Sequence, residues 1–167
     1  MLFQLACTGD LVDTSEEVRP LEWAVDEAGP YAAGHRQAEL AYTTRAGDSR
    51  TIVVHAWYPT EATSGDGVLY LDAIEDPEAL GNAEPAAPWV YPVLVRQHGY
   101  QGYAGDGAAM ARHFASHGWA VVAADHTDNT LADHQSPLPT EHFLHRPQDV
   151  TQALDWLADE LEVRTSA

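Results

Sequence analysis

The stretch VLVRQHGYQG, Val93 to Gly102, runs an apolar strand straight into His-Gly and a glycine-bearing loop. Gly99 and Gly102 predict backbone that must come close to something, because glycine has no Cβ to keep a neighbour away. The neighbour is a ligand, a transition state or the next helix, and the stretch alone leaves all three open.

Working outward, Trp89 to Gln97 is apolar on nearly every position, as in a strand covered on both faces. GDGAAMARHFASHG follows, with Ala109, Met110, His113 and Phe114 at helical spacing and Gly118 as the stop. Trp119 to Asp125 reads as a second fully buried strand, and a polar loop of about twenty residues comes after it. RPQDVTQALDWLADELEV then sets Val150, Leu154, Leu157 and Leu161 on one stripe, with Pro147 near the helix start. Strand, helix, strand, helix with short joints predicts right-handed crossovers and parallel pairing, hence an α/β fold.

Upstream, residues 1–30 are acidic and irregular, with Pro20 and Gly29-Pro30 as breakers, and read as a leader to a domain over 31–167. RQAELAYTTRAGDSRTIVVHAWYPT predicts a hairpin. Ala38, Leu40 and Tyr42 alternate into a turn at Ala46-Gly47-Asp48, and Thr51 to Trp57 return. Residues 60–89 read as a surface excursion with a short helix around Pro77 to Leu80. Trp57, Trp89, Trp119 and Trp156 are expected in the core.

In an open α/β sheet, ligands bind beyond the carboxyl ends of the strands. Two such ends are visible, Gln97-His98-Gly99-Tyr100 and Asp125-His126-Thr127-Asp128. A phosphate loop of the GxxxxGK[ST] kind is absent, and Gly99, Gly102, Gly105 and Gly107 do not fit GxGxxG. An oxyanion loop remains, in which a backbone N–H faces a carbonyl oxygen that becomes negative. His98, Asp125 and His126 read as loop-shaping residues, and no motif calls for a cofactor. His126, His134, His142 and His145 share a loop with Asp128 and Asp133, but ligand spacings such as HExxH are missing, so no metal is expected. Ser116 and His117 are adjacent at a helix end, where neighbouring side chains diverge, and do not read as a dyad.

Four segments carry a family resemblance: GPYAAGHR with RTIVVHAWYP, YPVLVRQHGYQG, FASHGWAVVAADHTDNT and RPQDVTQALDWL. In this order they resemble the amino-terminal half of the α/β-hydrolases, in the branch of the platelet-activating factor acetylhydrolases and dienelactone-hydrolase-like esterases. The resemblance implies a partial α/β-hydrolase fold and a serine esterase acting on small acyl or lipid-like esters. It places the oxyanion donor at the backbone N–H of Tyr100, presented by His98 and Gly99. It also implies a nucleophile elbow GxSxG after the last helix, and none of the serines at 15, 49, 64, 116, 136 and 166 has that context. These residues alone are therefore expected to be inactive, as the oxyanion-loop half of an esterase. The alternative is a non-catalytic or vestigial binding module on the same fold. In that family the nucleophile strand lies beside the strand at 89–97, so the resemblance implies association through this edge, with another copy or with a carboxy-terminal half.

Composition bounds the partners. The 167 residues suit one domain, and 26 acids against 8 bases give a formal charge of -18; all eight bases are Arg. That charge argues against nucleic acid and anionic membranes. No run approaches the ~18 apolar residues of a membrane span. The one cysteine, Cys7 in LACTGD, has the look of a clipped lipoprotein signal, which favours a secreted or lipid-anchored place in a bacterial envelope, although six residues are too few for a complete signal.

Overall fold

The computed structural model of the chain describes residues 24–86 and 91–161. Cys7, most of the acidic leader, Trp89 and Val90 lie outside the described residues.

The hairpin forms as expected. β1 (Ala32–Thr43) and β2 (Ser49–Thr60) pair antiparallel from Ala32 opposite Thr60 to Thr43 opposite Ser49. Gly47 closes their turn with φ of +95°, a conformation that only glycine adopts without strain. Thr44 holds the other side of the turn through its carbonyl, its amide and its hydroxyl.

The excursion that follows is more ordered than the sequence suggests. β3 (Val68–Tyr70) and β4 (Ile74–Asp76) form a small two-stranded sheet, and β5 (Ala79–Gly81) joins the main sheet parallel to β1. The helix expected around Pro77 to Leu80 is thus a strand. The reason is tertiary: Ala79 is fully buried beside Ala33, and three short residues gain more from the β1 edge than from one helical turn. Tyr70 anchors the excursion. Its hydroxyl donates to Asp76 (2.8 Å) and accepts from the Trp57 indole N–H (3.1 Å), while Arg112 donates to Asp76 at 2.5 Å.

β6 (Val93–Gln97) and β7 (Ala120–Asp125) complete a mixed five-stranded sheet of order β5-β1-β2-β7-β6. β7 is an interior strand, parallel to β6 and antiparallel to β2, and all six of its residues are buried. β6 lies at the end of the sheet and is only half-buried, so the expectation of a strand covered on both faces fails for it.

A short 3-10 turn (Ala104–Gly107) leads into α1 (Ala108–Ser116), and α2 is His142–Glu160. The helices take opposite faces of the sheet. One core gathers Trp57, Tyr70, Ala108, Ala111, Ala115, Val121 and Ala123; the other gathers Ile52, Val54, Tyr58, Val122, Ala124, Ala153 and Leu157. The buried stripes overlap only in part with those expected: Phe114, Leu157 and Leu161 pack on the cores, and Met110 and Leu154 do not. In α1 the buried face is Ala108, Ala111 and Ala115, continuing Ala104 of the turn before it, which lets the helix approach closely, while Met110 stays 43% exposed. In α2 it is His142, Asp149, Ala153 and Leu157, and Pro147 falls inside the helix rather than at its start. Of the tryptophans, Trp57 is fully buried, and Trp119 and Trp156 are half-buried.

Asp149 explains the rotation of α2. This completely buried carboxylate accepts from Arg50 through Nε (2.7 Å) and Nη2 (2.8 Å), and from the Tyr42 hydroxyl (2.6 Å). Burial alone would raise its pKa, but the bonds from Arg50, His126 and Tyr42 outweigh that and hold it at about 2. Removing one partner of such a pair strands the other charge. Asp149→Ala should therefore cost about 3–5 kcal/mol in urea unfolding. The double variant Arg50→Met/Asp149→Leu should cost less than that single change. A loss below about 1 kcal/mol for Asp149→Ala would contradict this role.

Candidate functional site

β6 and β7 run parallel, so Gln97 and Asp125 end at the same edge of the sheet, and the next residues are His98 and His126. The His98 ring is buried, and its two nitrogens are assigned by their partners. Nε2 accepts from the His126 backbone N–H at 3.1 Å, so it carries no proton. Nδ1 therefore holds the proton and donates to the Gly99 carbonyl at 2.7 Å. Burial pushes the His98 pKa down to about 4, against the Gly99 bond that would raise it. Arg146 of α2 donates to the carbonyl of His98 itself.

The clamp fixes one peptide. Gly99 O is turned toward the His98 ring and also accepts from Gly102 N–H at 3.2 Å. Because the Gly99–Tyr100 bond is trans, the Tyr100 N–H points the opposite way, away from His98, and finds no acceptor among the described residues. The Tyr100 side chain is 47% exposed; its hydroxyl donates to Gln135 O at 3.0 Å and its ring meets His134 edge-on.

The two glycines of the opening stretch now separate. A Cβ on Gly102 would stand 2.9 Å from His98 Cβ and 2.7 Å from Asp106, so this glycine serves the packing of the loop on itself. A Cβ on Gly99 would meet no protein atom within 4 Å, so Gly99 borders open space. Gln101 and Asp128, one in each loop, hold left-handed backbone (φ of +60° and +68°), which costs a non-glycine residue energy that the surrounding bonds must offset. The loops are stitched to each other by a bridge between Gly102 and Thr130 and by Leu131 N–H to Gly102 O at 3.0 Å. On the far side, Arg96 donates to Ala104 O (2.8 Å) and pairs with Asp106.

His126 connects the site to the buried charge pair, since its Nδ1 donates to Asp149 at 2.7 Å. Burial lowers its pKa, against the Asp149 bond that would raise it. The structure sets the Gln97 carboxamide oxygen against the His126 Nε2 and leaves the Gln97 nitrogen without a partner.

A second relay runs on the α1 face. His35 Nε2 lies 3.2 Å from His55 Nδ1, and His55 Nε2 lies 3.1 Å from Asp125, whose other oxygen accepts from Ala104 N–H at 2.5 Å. Burial, assisted by His55, lowers the His35 pKa to about 3. Burial would raise the Asp125 pKa, but the His55 and Ala104 bonds win and lower it.

Sequence reasoning placed His98, Gly99, Tyr100, Asp125 and His126 at this edge, and the structure brings them together. It missed Arg96, Arg146, Asp149 and the His35–His55 relay. The available signal was chemical: a lone His inside the apolar run TIVVHAW, and an acid on the inward face of a helix. Ser116 and His117 were expected to diverge, yet Ser116 Oγ lies 3.2 Å from His117 Nδ1. They still form no dyad, because the Ser116 hydroxyl donates to His113 O and His117 Nδ1 also lies against that carbonyl. Among the described residues, no three His, Cys, Asp or Glu side chains come together as metal ligands, and no helix is long and apolar enough to cross a membrane.

No protein-family model matches the chain, and no curated protein matches it in sequence. In three dimensions it is similar to a ferulic acid esterase from Streptomyces cinnamoneus, with a TM-score of 0.62 and 21% identity over 78% of this chain. The match covers 48% of that esterase, so the chain spans about half its length. At this identity the likeness establishes a hydrolase-like α/β fold.

The buried neutral histidines make stability depend on pH. In the unfolded chain they titrate near 6.5, so between that value and about 3 to 4 the unfolded state binds more protons than the folded one. Stability is complete above about pH 6.5 and declines on acidification, each histidine adding up to about 1.4 kcal/mol per pH unit. The urea midpoint should fall from pH 6.5 to 4 and do so less steeply in His35→Phe; identical slopes for the two proteins would refute the assignment.

Proposed function

We propose that this chain is the oxyanion-loop half of a serine carboxylic-ester hydrolase of the acetylhydrolase or esterase kind. Its substrates would be small acyl or lipid-like esters. The observation that carries the reading is the outward amide of Tyr100, held at the carboxyl end of β6 by the proton that His98 gives to Gly99. Ester hydrolysis puts negative charge on the carbonyl oxygen. A donor already aimed at that oxygen lowers the barrier, because it needs no reorganisation when the charge appears. His98 and Gly99 are positioning residues in this reading, and Tyr100 N–H is the group that meets the reacting atom. The fold shared with an esterase and the four resembling segments support the reading. The nucleophile, its base and the orienting acid would come from polypeptide beyond these residues, because no serine here has a GxSxG context.

The isolated chain should consequently hydrolyse p-nitrophenyl acetate no faster than a histidine-rich control protein. Stoichiometric labelling of any serine by a fluorophosphonate would overturn this and place a nucleophile among the six.

In a form completed by the catalytic half, the donor is tested through the backbone. Tyr100→Ala keeps the N–H and should retain most activity, whereas Tyr100→Pro deletes it and should lower kcat by on the order of 10²–10³. Small, equal effects from both would show that Tyr100 is not the donor.

A further inference from the structure

Arg146 is the odd cation of this molecule. The chain carries 26 acids and 8 bases, so a basic side chain seldom lacks an acid within reach. Arg36, Arg50, Arg96 and Arg112 each pair with a carboxylate, and Arg45 stands exposed in the β1–β2 turn. Arg146 is half-buried, yet among the described residues no carboxylate pairs with it.

The acid nearest along α2 cannot serve. Asp149, three residues on, accepts from Arg50 twice, from Tyr42 and from His126, two bonds on each oxygen. A carboxylate offers about four acceptor positions, so Asp149 is full. A half-buried guanidinium without a counter-ion costs stability. One hydrogen bond to a carbonyl does not call for it, since a neutral amide side chain makes the same bond. Groups that break the ordinary rules of a stable interior concentrate at functional sites.

The charge stands where it touches the oxyanion loop twice. Arg146 donates to the His98 carbonyl and so holds the His98–Gly99 peptide. The His98 ring holds the next peptide through Gly99 O. Two successive peptides are thus fixed at their carbonyls, one from α2 and one from within the loop. Arg146 also acts on the ring itself. The charged and titratable groups facing His98 are His126 and Asp125 at the β7 end and Arg146 on α2. Burial is the main reason that the ring resists a second proton, and the Arg146 charge adds to that resistance. A second proton would sit on Nε2, opposite the His126 N–H that Nε2 now accepts, and would break that bond.

We propose that Arg146 is a positioning residue of the oxyanion loop: it locks the His98–Gly99 peptide from α2 and leaves an uncompensated positive charge at the loop where the ester oxygen becomes negative. The second half rests on the function proposed above; the first rests on geometry alone.

The full chain is compared with Arg146→Met, which keeps the length and loses the charge, and with Arg146→Lys, which keeps the charge and loses the planar fork. In NMR spectra the wild-type His98 ring should be the Nδ1–H tautomer. Arg146→Met should raise the pH at which this ring titrates by about 1, and Arg146→Lys should leave it near the wild-type value. The Gly102 amide, bonded to Gly99 O, should exchange hydrogen at least about tenfold faster in Arg146→Met. The urea midpoint should move by less than about 0.5 M. An unmoved His98 titration, faster exchange that merely follows a lower urea midpoint, or loss of the fold would assign Arg146 a structural role and overturn the proposal. In a form completed by the catalytic half, Arg146→Met should lower kcat at least about tenfold with KM within about twofold. An active wild-type form matched by its variant would overturn the proposal too. An inactive wild-type form would sink the esterase reading instead and leave the NMR outcome to decide on the first half.

Discussion

A single carboxylate organises this structure. Asp149 sits on α2, yet its partners come from β1 (Tyr42), β2 (Arg50) and the turn after β7 (His126). A buried anion must be fully satisfied or it expels itself from the core. That requirement fixes the rotation of α2, since only one face of the helix can present position 149 to Arg50. Arg146, nearly one turn earlier, is thereby brought to the carbonyl of His98. The geometry of the loop after β6 is thus set partly by a charge pair formed by another element.

From there the order propagates by exclusion of alternatives. His98 is flanked by a donor on one side and an acceptor on the other, so only one tautomer satisfies both. A single tautomer leaves a single orientation for the next peptide. The amide at Tyr100 is directed without any contact to itself, because the opposite end of its own peptide is held. The two histidine relays lie on opposite faces of the sheet and meet the same short stretch, Asp125-His126. The β7 end is therefore gripped from both layers.

Much of this was legible in the residues, and the failures have a common cause. Strand runs, the hairpin turn and the helix stop at Gly118 depend on local chemistry, and they came through. The loop residues at 98–100 and 125–126 were found because strand ends in such sheets are where ligands bind. What failed was the choice of face. Periodicity finds large apolar stripes, so it selected exposed Met110 along with Phe114 in α1, and exposed Leu154 along with buried Leu157 in α2. The actual faces are alanines packed closely in one helix and a buried acid in the other. Small residues and charges win such contests through partners far away in sequence, which no local window contains. β5 was misread for the same reason, as its three residues are a strand only because β1 lies beside them.

The placement of β7 has a consequence for the order of assembly. β1 and β2 are neighbours in sequence and can zip from a five-residue turn, but the other edge of β2 waits for a strand far downstream; His55 and Asp125, which meet across it, are 70 positions apart. Closing so long a loop is slow relative to forming a hairpin. Until β7 arrives, the stretch of β2 from Val53 to Trp57, which pairs with β7 in the finished sheet, stands with unpaired backbone on one side. During synthesis on a ribosome this interval lasts for the translation of some seventy residues, several seconds at about 5–20 residues per second. A chain carrying so large a uniform negative charge meets that interval with its nascent copies repelling one another. The acidity that says little about the fold thus bears on how unfinished chains meet one another.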